Sequence, residues 1–149
     1  MKTLVLFTFL FLLNQFYGQL DTLNQIIDGW HKAASDARFN DYFDLMSENS
    51  IFIGTAPNER WNKKEFMEFS KPYFDRGKAW DFKAKNRTWS ISSDGKVAWF
   101  DEELATWMES CRGSGVVVKE GEQWKIVFYD LHVQIENDKI KEFIQLRKK

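Results

Sequence analysis

The spacing of apolar residues changes near Lys78 from mainly helical to alternating, and that change restricts the folds open to this chain. Before it, Leu23, Ile26, Ile27, Trp30, Ala33, Ala34 and Ala37 recur at helical intervals. They predict a first helix over about 21–36, with Asp21 or Thr22 as its cap. Phe39, Tyr42, Phe43 and Met46 predict a second, shorter helix. Residues 50–55 are β-branched and aromatic and read as a strand, followed by a loop marked by Pro57 and Asn58. Asn62, with Glu65 three residues on, caps a third helix that buries Phe66, Phe69, Tyr73 and Phe74. Pro72 should kink or break that helix, and Gly77 should end it.

After Lys78 the pattern alternates. Trp80, Phe82 and Ala84 are spaced by two, and so are Trp89 and Ile91, but on the opposite parity. One buried face survives that shift only if the strand bends or bulges near residues 85–87. Asp94-Gly95 reads as a tight turn, and Gly121 as another. Between and beyond them lie strands over about 97–107, 112–119 and 123–135, and a last helix over about 138–146. Helices followed by long strands predict an α+β domain with helices on one face of an antiparallel sheet. A strongly bent sheet wrapped over N-terminal helices makes a cone with a central cavity.

The first 18 residues read as a signal peptide. Lys2 supplies the positive start, residues 4–13 are almost wholly apolar, and Gly18 is a small residue before Gln19. The run is short for a membrane span, which needs about 20 apolar residues. Residues 19–149 then form one domain, secreted or periplasmic, with no membrane association after cleavage. Losing Lys2 leaves 20 basic against 22 acidic side chains, a net charge of −2. That balance gives no basic surface for nucleic acid. The lone Cys111 reads as a small buried apolar residue. Two histidines and one cysteine, far apart, offer no metal spacing, and no cofactor fingerprint is present.

Several residues together resemble the nuclear transport factor 2-like (NTF2-like), SnoaL-like superfamily. They are Trp30-His31, Tyr42-Phe43, Phe52-Ile53-Gly54-Thr55, Glu59-Arg60-Trp61 and Lys71-Pro72-Tyr73-Phe74. Ala98-Trp99-Phe100-Asp101-Glu102, Arg112-Gly113-Ser114-Gly115-Val116 and Trp124-Lys125-Ile126 with Tyr129 and Leu131 continue the likeness. The resemblance implies the ketosteroid-isomerase-like cone, a fold shared by isomerases, cyclases, dehydratases and proteins that only bind or form homodimers. Fold does not choose among these. The chain departs from the steroid-isomerase pattern: Ala56 replaces a common acid, and no carboxylate stands near Gly54 in sequence, where that branch has its general base, which argues against ketosteroid isomerase chemistry.

Candidate groups follow from side-chain direction. His31 lies at the edge of the first helix's buried stripe and can reach a cavity mouth. Alternation puts Asp101 and Glu103 on one strand face and Glu102 on the other, so at least one acid faces inward. Arg112 either clamps a carboxylate ligand or neutralises such an acid. Asp130 and His132 extend the face that carries Trp124, Ile126 and Phe128, which places them toward the open end of the cone. Trp30, Tyr42, Trp99 and Phe128 are candidate aromatic lining; Trp61 could cover the pocket, and Glu59 could line it or instead serve as a cap or loop salt bridge. These residues suit a small, largely apolar ligand. They also leave open a cofactor-independent acid–base enzyme using His31, Asp101, Glu102 and Asp130, or a dimeric interaction module.

Overall fold

The computed structural model describes the backbone of residues 2–148 and the side chains of residues 18–148. Helix α1 (Lys2–Ser35) is followed by α2 (Phe39–Asp44), strand β1 (Met46–Ile53), β2 (Arg60–Asn62) and helix α3 (Lys63–Asp75). Four long strands come next: β3 (Lys83–Ile91), β4 (Val97–Thr106), β5 (Glu109–Glu120) and β6 (Gln123–Val133). A 3-10 turn (Asn137–Lys139) and α4 (Ile140–Leu146) end the chain.

The first helix does not begin at Asp21. The helix runs on through it, and the Thr22 hydroxyl donates back to the Gly18 carbonyl at 2.8 Å rather than capping. The signal reading rests on side chains outside the described residues. Among the described residues, no helix is long and apolar enough to cross a membrane. Met46 belongs to β1 and not to α2. The carbonyls at the end of α2 are taken by β6: Ile126 N–H donates to Leu45 O at 2.8 Å, and Lys125 Nζ to Asp44 O at 2.6 Å.

The Asn62–Glu65 capping box forms with both reciprocal bonds, at 3.0 and 2.9 Å. Pro72 neither breaks α3 nor divides it. The ring is exposed, and so is Glu68, whose carbonyl loses its partner, so water can satisfy that oxygen.

The six strands form one sheet in the order β2-β1-β6-β5-β4-β3. It is mixed rather than wholly antiparallel, because β1 pairs with β6 in parallel. The ladder between β3 and β4 slips between Ala84 and Asn86, where the parity argument places a bulge. Gly95 has φ +69°, as the tight turn after Asp94 requires. The inner face of the sheet closes on α1, α2 and α3 around Leu23, Ile27, Trp30, Tyr42, Phe43 and Phe66, all under 3% exposed.

Candidate functional site

Two features lie inside the cone. The first is a buried polar network centred on Glu102, the inward member of the Asp101-Glu102-Glu103 run. Strand alternation carries it to the same face as Ala98, Phe100 and Leu104. Its carboxylate accepts four hydrogen bonds. Oε1 takes His31 Nε2 and Tyr129 Oη, both at 2.7 Å. Oε2 takes Arg87 Nε at 2.9 Å and Nη2 at 2.7 Å. Burial alone would raise the Glu102 pKa. The His31 hydrogen bond and charge, the Arg87 charge and the Tyr129 hydroxyl outweigh it and lower the pKa to about 2. An ionised carboxylate can only accept, so His31 donates from Nε2. The same burial, with the Glu102 charge, raises the Tyr129 pKa well above its ordinary value.

Arg87 extends the network to α1. It reaches Asn24 Oδ1 at 3.1 Å and Asp28 Oδ1 at 2.8 Å. Because all its lone pairs are engaged, Glu102 is held as an anion that ties α1, β3, β4 and β6 together. Arg87 escapes a sequence reading that treats residues 85–87 only as a bend. The available signal is its spacing of two from the partly buried Trp89, which puts both side chains on one face once the bulge is placed at Lys85.

The second feature is an aromatic cavity of about 230 Å³ at the open end of the cone. Phe52, Trp61, Phe66, Phe69, Trp80 and Phe82 form its walls. Trp61 stacks on Phe69 at 4.4 Å and on Phe66 at 5.6 Å. Phe69, Tyr73 and Trp107 are exposed at the mouth. Glu59 lines one side, its Oε2 accepting the Ala56 N–H at 3.0 Å. Its carboxylate folds over Gly54: a Cβ on that residue would lie 2.4 Å from Glu59 Oε2. A carboxylate therefore does stand beside Gly54 in space, delivered from five residues further along the chain. His31 lies behind Phe82, with ring centroids 6.2 Å apart, and neither it nor Glu102 lines the cavity.

A wider groove of about 750 Å³ lies beside Asp41, Asp44, Glu48, Glu120, Lys63 and Lys125. Several of its polar groups are already engaged. Lys63 Nζ bonds Met46 O at 2.9 Å and Glu48 at 2.7 Å, and the Ser47 hydroxyl bonds Glu120 at 2.6 Å. The aromatic cavity, whose rings have no such partners, is the better candidate site.

The structure divides the sequence-based candidates into three groups. Glu59 and Trp61 line the aromatic cavity. His31 and Glu102 meet in the buried network, while Trp30 and Tyr42 are core, stacked at 4.7 Å; neither lines the cavity, although Tyr42 packs behind its wall residue Trp80 at 5.5 Å. Trp99, Asp101, Arg112, Phe128, Asp130 and His132 alternate away from the interior onto the outer sheet face. There Arg112 bonds Asp101 at 2.5 Å, and His132 lies 3.7 Å from Asp130. Arg112 is thus a partly exposed ion-pair member, and the inward acid is neutralised by Arg87 instead.

The inward placement of Phe128, Asp130 and His132 fails for one reason. The β5–β6 ladder slips between Val116 and Val117, leaving Val127 unpaired, and parity reverses there. Tyr129 and Leu131 then point inward in place of Phe128 and Asp130. The convergence of His31, Asp101, Glu102 and Asp130 that acid–base chemistry would need does not occur. Cys111 is fully buried, as its composition suggested. Among the described residues, no group of three or more His, Cys, Asp or Glu side chains is placed to hold a metal.

The family model for the SnoaL-like domain matches residues 23–136. No curated protein matches the sequence. Among solved structures, a protein of unknown function from Mycobacterium tuberculosis superposes with a TM-score of 0.69 at 11% identity, covering 85% of this chain and 78% of that one. An NTF2-like protein of unknown function from Pseudomonas putida gives 0.65 at 11% identity, with 79% and 88% covered. The association domain of C. elegans CaMKII gives 0.64 at 16% identity, with 78% and 97% covered. At these identities the likeness is one of fold.

Proposed function

This chain belongs to the SnoaL-like domain family, and on that footing we propose that it binds a small, largely apolar molecule in the aromatic cavity at the open end of the cone. The observation that carries this reading is a set of rings that face a shared space and reach solvent at its mouth. A folded domain gains stability by filling such a space with its own side chains. Here the walls leave about 230 Å³ open, below the roughly 300–1,000 Å³ of sites for drug-sized ligands. The ligand is accordingly small.

Ala79 lines the cavity, and leucine at that position fills part of it. Ala79→Leu is expected to lose the ligand that native mass spectrometry finds on the purified wild type, with its melting temperature within a few degrees. If the wild type carries nothing, and small aromatic probes show no saturable binding by calorimetry, the reading fails.

Export is the second part of the proposal. It rests on the charged, apolar and small-residue order of residues 1–18. N-terminal sequencing of exported protein is expected to begin near Gln19; a membrane-bound product retaining Met1 would exclude cleavage.

A further inference from the structure

We propose that the ligand of the aromatic cavity is a small organic cation, such as an alkylated amine, held by ring faces and by the carboxylate of Glu59. The proposal rests on the reading of the cavity as a binding site and adds the chemical class of what enters it.

Charge provides the first argument. Among the residues lining the cavity, Glu59 alone has an ionisable acid or base of formal charge, and no Lys, Arg or His lines it. A site for a carboxylate or phosphate compound would need a cationic donor. A site for a neutral apolar compound would gain nothing from a carboxylate at its wall, which costs free energy to desolvate.

Ring geometry provides the second. Trp61, Phe66 and Phe69 lie in a stacked series with interplanar angles of 22° and 25°. Phe66 is also nearly parallel to Trp80, at 25° and 5.8 Å. Aromatic faces are electron-rich, and surfaces of tryptophan and phenylalanine attract a poorly hydrated cation more than a well-hydrated one. One mouth ring already serves this way: the Arg76 guanidinium lies 4.7 Å from the Tyr73 ring centre. That ring is occupied, and Trp61 and Phe69 cover one face of each other, so a cation in the cavity would meet their remaining faces together with the rings of Trp80 and Trp107.

Placement of the carboxylate provides the third. Glu59 is held by its Oε2 bond to the Ala56 N–H, and it packs over Gly54, where only a residue without Cβ leaves room for it. The carboxylate is thus fixed at the cavity side rather than free to swing into solvent.

Choline and its uncharged carbon isostere, 3,3-dimethylbutan-1-ol, have nearly the same shape and differ by one positive charge. Calorimetric titration of the wild type with each is expected to show choline binding about tenfold more tightly. Glu59→Gln keeps an oxygen for the Ala56 N–H and removes the charge. It is expected to weaken choline about tenfold and to leave the isostere within about twofold. If the isostere binds as well as choline or better, the cation assignment is overturned while the apolar cavity stands. If choline is preferred equally by the wild type and Glu59→Gln, the role of Glu59 is overturned. If neither probe binds, both this inference and the reading beneath it fail.

Discussion

Replacing Arg87 with methionine is expected to destabilise the protein by about 3–5 kcal/mol, the usual consequence of removing one partner from a buried ion pair. Glu102 is fully buried, and Arg87 supplies both donors to its Oε2. Methionine fills much of the same space but leaves that oxygen facing apolar groups. The pH dependence separates this cause from loss of packing. In the wild type the Glu102 pKa is lowered from 4.5 to about 2. A lowered folded-state value gives stability that is present in full above pH 4.5 and is lost as pH falls toward 2. That interval corresponds to on the order of 3 kcal/mol. Without Arg87 the lowering shrinks, so the variant loses less on acidification and the gap between the two proteins narrows. Urea titrations at pH 7, 5 and 3 measure this directly. An equal gap at all three would mean that Arg87 acts through packing and its bond to Asn24 rather than through a carboxylate.

Gly113→Ala is expected to cost about 2–3 kcal/mol, unusually much for adding one methyl group. A Cβ there would lie 2.1 Å from Tyr129 Oη, 2.7 Å from its Cζ and 3.1 Å from Glu102 Oε1. The ring cannot swing aside, because it is fully buried and packs edge-on to Trp30 at 4.8 Å and against Phe52 at 5.6 Å. The hydroxyl must therefore give up Glu102, or the β5–β6 ladder must part at Gly113 and Leu131. Tyr129→Phe removes the atom nearest the new methyl. In that background the alanine should cost at least about 1 kcal/mol less, a coupling that a double-mutant cycle reads from four denaturation curves. Additive costs would place the strain elsewhere.

Much of the fold was legible because its signals are local. The Asn62–Glu65 cap, the Asp94-Gly95 turn and the bulge at Lys85 each depend on a few neighbouring residues. What was not legible depends on register between distant segments. The parallel pairing of β1 with β6 has no marker in either strand. Alternation from Trp124 points Asp130 inward, and one unpaired residue, Val127, reverses it. The clue was available: Tyr129 and Leu131 repeat the parity switch that Trp89 and Ile91 show in β3. A switch of that kind in β6 turns Tyr129 and Leu131 inward.

The candidate site was legible only at its edges. Glu59 and Trp61 stood out in a loop, where side chains are free to face a cavity. Phe69, Trp80 and Phe82 read as core, because period alone cannot distinguish a ring that fills a cone from one that lines its mouth.

The parallel seam between β1 and β6 has a consequence for how the molecule comes into being. Ile51 pairs with Phe128, 77 residues later in the chain. Until β6 exists, β1 has only the three-residue β2 beside it, and a two-stranded pair of that length is marginal in water. The hairpins β3–β4 and β4–β5 can close over short loops as soon as they are synthesised, whereas β1 must wait for nearly the whole polypeptide. The aromatic chamber borders that late seam, through Phe52 on one strand and Leu131 on the other. Its walls are therefore among the last parts of the protein to meet.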